Sequence, residues 1–218
     1  MISAAAAAWK TLPVAQRWMI LILTLGIALA NVAQPYPDLA PLQHGPTVGL
    51  ILASPWLLRR WPLSSLSVGS ITLFLALHTL GGRYIYSYVP YDVWSEALAG
   101  VRLSDLLGAQ RNGYDRIVHF AFGALLTLPV VELVRRHGGL GHRWSMFTAF
   151  AFVGLVSSLY EIFEWLLTLV AAGETADYYN GQQGDIWDAQ KDMGLAMLGS
   201  ILSLGLVWMA GRMRKNGQ

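Results

Sequence analysis

Asp115 and His119 in YDRIVHF, Glu161 and Glu164 in YEIFEW, and Asp185, Asp188 and Asp192 in GQQGDIWDAQKDM stand in stretches apolar enough to lie in or at the edge of lipid. A carboxylate at the bilayer centre costs about 2.5–3.5 kcal/mol. Six acids in such stretches therefore call for protons, cations, buried partners or a metal. Asp115 and His119 are four residues apart and share a helix face, as do Glu161 and Glu164 at a spacing of three. Asp185, Asp188 and Asp192 follow i, i+3, i+7 and also share one. Imidazole with several carboxylates is a hard, oxygen-rich donor set that suits Mg²⁺, Mn²⁺, Fe²⁺ or Zn²⁺. Helix bundles with carboxylate and histidine at such spacings hold one or two metals, and a bound metal activates water and polarises a phosphoryl or carbonyl oxygen.

The elements that must position these groups are membrane helices. Of 218 residues, 55% are hydrophobic and 13% are charged, mean hydropathy is +0.45, and there are nine Trp and nine Tyr. Soluble domains carry about 25% charged residues. Cysteine is absent, which excludes disulfides and thiolate metal sites. The net charge of +2 gives no sign of a nucleic-acid partner. The expected fold is all-α: one integral domain over residues 1–218, with about six transmembrane helices at roughly 17–33, 47–58, 63–80, 114–134, 144–170 and 185–210, and an outer loop at 81–113. The first apolar stretch lacks a small-residue cleavage site and reads as a retained helix. His44, His137 and His142 fall in loops and read as solvated. Trp165, Trp187, Tyr84, Tyr86, Tyr88, Tyr91, Tyr178 and Tyr179 fit an aromatic belt.

Six spans put both termini on one side. Ten Lys and Arg fall in segments of that side, including Arg59, Arg60, Arg135 and Arg136, against five in the other (Arg83, Arg102, Arg111, Arg116 and Lys191). The positive-inside rule makes the termini cytoplasmic. Then His78, Asp115, His119, Glu161, Glu164, Asp188 and Asp192 all fall toward the extracytoplasmic side. At ~1.5 Å per residue, Glu161 lies roughly 14 Å below Val170 and Asp192 roughly 10 Å below Asp185. Distant segments thus place ionisable groups at one depth, which implies one site. His119, Asp115, Glu164, Asp192, Asp185 and His78 are the candidate metal ligands, and Glu161 and Asp188 the candidate general acid and base. Asp185 also reads as an N-cap behind the GQQG turn. The Gly81-Gly82 pair permits close backbone approach, though ending a helix would explain it too.

The function this suggests is a metal-dependent enzyme acting on a lipid or lipid-linked substrate at the outer leaflet, as hydrolase or headgroup transferase. Two other classes compete. A proton- or cation-coupled transporter would use the same groups, but the inner half of the bundle lacks ionisable residues to complete a path. A non-catalytic scaffold would use them as helix staples, with Arg116, Lys191 and Arg83 neutralising three acids. G-x-S-x-G, P-loop, HExxH and dinucleotide motifs are absent.

The runs HTLGGRY, YDRIVHFAFG, YEIFEW and GQQGDIWDAQKDM resemble the YjdF-like family of bacterial inner-membrane proteins, over roughly residues 75–200. The resemblance implies a polytopic inner-membrane protein, without naming a reaction, with His78, Asp115, His119, Glu161, Glu164, Asp185, Asp188 and Asp192 as signature positions. A weaker likeness runs to VanZ-like membrane proteins, some of which are tied to glycopeptide resistance. Asp115, Arg116, His119 and Phe120 approximate their D-K-x-x-H-F element, and Asp192 departs from their last helix, where an amide is expected. That likeness is a hint about fold alone.

Overall fold

Three helices in this chain bury a stripe that recurs every fourth residue, and each stripe ends in an acid. The computed structural model describes residues 2–170 and 183–216. Its helices are α1 (Ile2–Thr11), α2 (Val14–Ala30), α3 (Ala40–Arg60), α4 (Ser65–Arg83), α5 (Tyr91–Ala99), α6 (Leu103–Leu107), α7 (Tyr114–Arg136), α8 (His142–Val170) and α9 (Asp188–Asn216), and no strand occurs among the described residues. Four of them, α4, α7, α8 and α9, are long and apolar enough to cross a membrane, while α2 is apolar but shorter. The expected polar loop from residue 171, with Tyr178 and Tyr179, lies mostly outside the described residues.

Helix α7 is the hub and packs against α9, α4 and α8. Its buried stripe is Asp115, His119, Gly123 and Thr127, and that of α9 is Asp188, Asp192, Ala196 and Ser200. The two stripes face each other in parallel at a constant offset of 73 residues, fixed by the hydrogen bond between Thr127 Oγ1 and Ser200 Oγ at 2.7 Å. The small residues let the backbones touch. A Cβ on Gly123 would stand 1.8 Å from the Ala196 carbonyl oxygen, and one on Gly199 would stand 2.2 Å from the Phe120 carbonyl oxygen. Lipid tails are as apolar as leucine, so helix association in a membrane relies on such close packing and on interhelical hydrogen bonds. Helix α8 contributes Ser145, Ala149, Val153, Ser157 and Glu161, again four apart, and Ser158 Oγ reaches Met193 Sδ at 3.3 Å.

The opposite end is pinned by Glu132 of α7. Its carboxylate accepts from Ser64 N at 2.7 Å, Ser64 Oγ at 2.6 Å and Ser67 Oγ at 2.5 Å, and from Arg136 at 2.8 Å. Ser64 itself caps α4 by accepting from Ser67 N. Arg136, one turn on, completes an ion pair with Glu132.

Several expectations need correction. The helix expected at 47–58 begins at Ala40, because Pro41 sits in the first turn, where its missing N–H is no loss. His44 consequently lies in α3 rather than in a loop. It is buried, with Nδ1 2.9 Å from Asn31 Nδ2 and Nε2 3.3 Å from the Thr79 carbonyl. The stretch 81–113 is not a plain loop. It carries the end of α4 together with α5 and α6, each closed by a left-handed glycine, Gly100 and Gly108. Tyr86 and Tyr91 turn inward instead of joining a belt. Tyr86 packs in a core with Val89, Tyr114 and Val118, flanked by Tyr91. A Cβ on Gly81 would stand 2.6 Å from the Tyr86 ring, and one on Gly82 would stand 2.9 Å from His44 Nε2. The glycine pair therefore serves close approach as well as ending the helix.

Replacing Gly123 with Ala forces α7 off α9 and is expected to lower stability on the order of 1–3 kcal/mol, whereas Gly205→Ala, with open space around it, leaves it unchanged or slightly raised. Thermal unfolding in detergent compares the two. Equal midpoints would refute the helix contact.

Candidate functional site

At the Asp115 end of the bundle the three stripes converge. One ligand atom each from Asp115, His119 and Asp192 lies within 4.8 Å of the others. His119 Nε2 stands 3.5 Å from Asp115 Oδ1 and 3.5 Å from Glu161 Oε1. The Tyr160 ring meets His119 edge-on at a centroid distance of 5.9 Å, and Tyr160 also hydrogen-bonds the side chain of Glu164. Asp115, His119, Glu161, Asp188 and Asp192 are all buried. Among the described residues, Glu161 Oε1 and Asp192 Oδ1 are inaccessible and accept no hydrogen bond. Buried polar atoms are almost always satisfied, so these two oxygens stand out in the floor.

Above this floor sits a cationic rim. Arg111 grips both oxygens of Asp188: Nη1 donates to Oδ2 at 3.1 Å and Nη2 donates to Oδ1. Arg116 Nη2 lies 2.5 Å from Asp185 Oδ2 and 3.4 Å from Asp188 Oδ1. Lys191 Nζ donates to the same Asp185 oxygen at 2.6 Å. The segment before α7 is held so that Arg111 can reach. Gly113 N donates to Tyr91 Oη at 2.8 Å, Asn112 Nδ2 to the Val89 carbonyl at 2.9 Å, and Gln183 spans both backbone groups of Asn112. Asp92 ties α5 to α6 by accepting from Ser104 N at 2.8 Å and from Ser104 Oγ at 2.6 Å.

Asp185 is not a helix cap. Helix α9 starts at Asp188, and Asp185 makes an Asx turn before it, its Oδ1 accepting from Trp187 N at 3.1 Å. The Lys191 ammonium first, then the Trp187 amide, holds its carboxyl down to about 2. Because the folded value is depressed, the stabilisation from this group is complete above the ordinary carboxylate pKa and is lost as pH falls through about 2.

Of the eight residues singled out, Asp115, His119, Asp192 and Glu161 come together. Glu164, half-buried, stands one contact away through Tyr160. Asp188 adjoins the group but is committed to Arg111, so it is not a free acid or base. Asp185 belongs to the rim. His78 lies elsewhere: its Nε2 is 3.0 Å from the Gln43 carbonyl and its Nδ1 meets Tyr86 Oη. Both ring nitrogens are occupied, so it is not a ligand of this group. Arg83 neutralises no acid and instead donates to the carbonyls of Ala30 and Val32. Arg111 is the residue the sequence reading passed over. It lies four positions before Asp115, at the end of the segment nearest the acids, where a compensating cation is required.

Arg111→Met strips the bidentate partner from a buried carboxylate and is expected to destabilise the protein by about 3 kcal/mol. Adding Asp188→Leu recovers much of that loss, since an apolar pair tolerates burial. Thermal unfolding of the single and double variants checks this, and an undiminished loss in the double variant would contradict it.

The family profile described as "Predicted membrane protein (DUF2238)" matches residues 15–214. The inner membrane protein YjdF of Escherichia coli (strain K12) is 35% identical over 158 residues, which cover 72% of this chain and 70% of the relative. No solved structure matches. The profile spans α2 through most of α9, the helices that build the acidic floor and its rim, and the chain belongs to this DUF2238 membrane-protein family.

Proposed function

We propose that the chain is a multi-pass inner-membrane enzyme whose acidic floor holds a divalent cation and acts on a lipid or lipid-linked substrate at the outer leaflet, as a hydrolase or headgroup transferase. The observation that carries this reading is the grouping of Asp115, His119 and Asp192 beside two orphaned carboxylate oxygens. Donor atoms about 2.0–2.2 Å from one ion lie at most about 4.4 Å apart. The 4.8 Å spread is thus within a small side-chain adjustment of that requirement. Asp115, His119 and Asp192 would be the ligands, with Glu161 completing the set or acting as proton acceptor. A bound divalent cation would polarise a phosphoryl or carbonyl oxygen and lower the pKa of a bound water.

The protein's own groups account for the remaining requirements. Asp115, one turn before His119 on the same face, brings its carboxylate to the imidazole side of the cation. Glu161 is buried and faces His119, where it can take up a proton from water. Tyr160 holds Glu164 and packs on His119, so both acids of YEIFEW serve one imidazole. Access for a lipid would come from apolar surface at this end of the bundle, where Ile186, Trp187, Trp165 and Val170 are exposed. The basic residues Arg59, Arg60, Arg135 and Arg136 mark the other end as cytoplasmic, in a six-span arrangement in which α2 and α3 cross alongside the four longer helices.

The closure below the floor favours this reading over transport. Beneath His119 and Asp192 the backbones of α7 and α9 are in contact at Gly123 and Gly199, leaving no route between these helices toward the far side. Asp192 Oδ1, which accepts no hydrogen bond among the described residues, argues against a role as a helix staple, because a stapled carboxylate has its partners.

Protein purified without chelator is expected to retain about one divalent cation per chain, to lose it in His119→Ala and Asp192→Asn, and to keep it in Glu132→Gln. In lipid nanodiscs made from a bacterial inner-membrane extract, mass spectrometry is expected to find a headgroup-altered lipid whose formation stops in Glu161→Gln or after chelation. Absence of both the metal and the product would overturn the proposal.

A further inference from the structure

We infer that the rim above the acidic floor is a receptor for a phosphate monoester, and that Asp185 is an internal occupant of that receptor which a substrate phosphate displaces. The inference rests on the proposed function, because it names the chemical class of the headgroup. It stands on a different set of residues.

Three cations, Arg111, Arg116 and Lys191, converge on two carboxylates. Asp188 is buried and gripped from both sides by Arg111, with Arg116 Nη2 at 3.4 Å from Oδ1. It is a structural anion. Asp185 differs from it. A single oxygen of Asp185 bridges Arg116 at 2.5 Å and Lys191 at 2.6 Å. It does so from a turn outside the helix, and the Arg116 and Lys191 side chains keep 30% and 49% of their surface open. An oxyanion bridging a guanidinium and an ammonium is the arrangement that a phosphate oxygen adopts. A phosphate monoester carries a second charge at neutral pH and three acceptor oxygens, so it would take more from the same two cations than a carboxylate does. The first turn of α9, which opens at Asp188, adds backbone N–H groups on the same side.

Charge balance points the same way. A displaced Asp185 leaves the rim cations Arg116 and Lys191 to the incoming anion. Beneath it lie Asp115, Glu161 and Asp192, which would repel an anion that went deeper. An anionic headgroup is therefore held at the rim, with its ester linkage facing His119 and Glu161. Ile186 and Trp187, 83% and 59% exposed, stand between Asp185 and the first turn of α9. An interfacial tryptophan beside the two cations suits a phosphate whose ester carries acyl or prenyl chains. The same recognition would also hold free phosphate, and the chains are what distinguish the two sources.

The test uses the full-length protein in detergent after chelation, so that metal content does not enter. Binding is measured by titration with dihexanoyl phosphatidate, inorganic phosphate and dihexanoylglycerol. Phosphatidate is expected to bind, and dihexanoylglycerol is expected to bind at least about tenfold more weakly, since a charge-assisted hydrogen bond is worth more than the ~1.4 kcal/mol that a factor of ten represents. Asp185→Asn is expected to raise phosphatidate affinity about tenfold by removing the internal competitor, and Arg116→Gln and Lys191→Gln to lower it by a similar factor. Gly205→Ala, in open space on α9 far from the rim, is expected to bind as the parent protein does. A purely structural rim would give the reverse for Asp185→Asn: lower stability and no gain in affinity. Inorganic phosphate binding as tightly as phosphatidate would support the receptor and identify free phosphate as its source. Unchanged affinity in Asp185→Asn with a normal unfolding midpoint, or equal binding of dihexanoylglycerol, would overturn the inference. Failure of metal retention with these binding shifts intact would count against the metal reading alone.

Discussion

The backbone contact between α7 and α9 is the constraint on which the site depends. Gly123 and Gly199 have no room for a side chain, and the Thr127–Ser200 hydrogen bond sets the register at 73 residues. Once that register is set, the rest of each stripe follows. Two turns toward the N-termini from that bond His119 faces Asp192, and one turn further Asp115 faces Asp188. The small residues in mid-membrane therefore determine which ionisable groups meet at the end. A slip by one residue would rotate all four facing positions off the interface at once. In a bilayer, where apolar side chains gain nothing by leaving lipid, steric fit and polar contacts supply this precision.

The parallel course of α7 and α9 requires α8 to return between them, and that return brings Glu161 to the same end. Ser145, Ala149, Val153 and Ser157 keep the inner face of α8 narrow along its length, so Glu161 arrives close enough to lie 3.5 Å from His119. The opposite end is held by a different device. Glu132 gathers four donors from α4 and α7 into one knot. A buried or half-buried acid is tolerated there because every acceptor position is used. Glu161 and Asp192 differ from it, each keeping one oxygen that accepts no hydrogen bond among the described residues.

Much of this was legible in the residues. The helical class, the grouping of acids at one depth and the one-face spacing of Asp115 with His119 follow from hydropathy and helical period, signals that run over many residues. What periodicity of apolar residues conceals is a stripe of small ones. Gly123, Thr127, Ala196 and Ser200 recur at intervals of four just as the acids do, and the two patterns continue each other. A search for small residues in phase with the ionisable ones would have found the α7–α9 interface. His78 and His44 went astray for a different reason. Both are satisfied by backbone carbonyls, of Gln43 and Thr79, and a carbonyl partner leaves no mark in the sequence. The start of α3 was hidden by a Pro-rich segment that reads as a loop until Pro41 is placed in a first helical turn.

The distribution of charge explains why the site has two layers rather than one. Every cation in reach comes from the water-facing ends: Arg111 from the segment before α7, Arg116 and Lys191 from the first turns of α7 and α9. Long side chains extend outward along their helices toward the interface, so these cations neutralise the outermost acids, Asp185 and Asp188. No arginine or lysine is paired with Asp115, Glu161 or Asp192 among the described residues. His119 is the sole basic group in direct contact with two of these three acids, and one imidazole cannot balance three carboxylates in a low-dielectric interior. The deficit is local and lies below the rim. On the proposed reading, the cationic rim overlies the layer poorer in positive charge, the order that a substrate with an anionic head and a cation-assisted reaction would require.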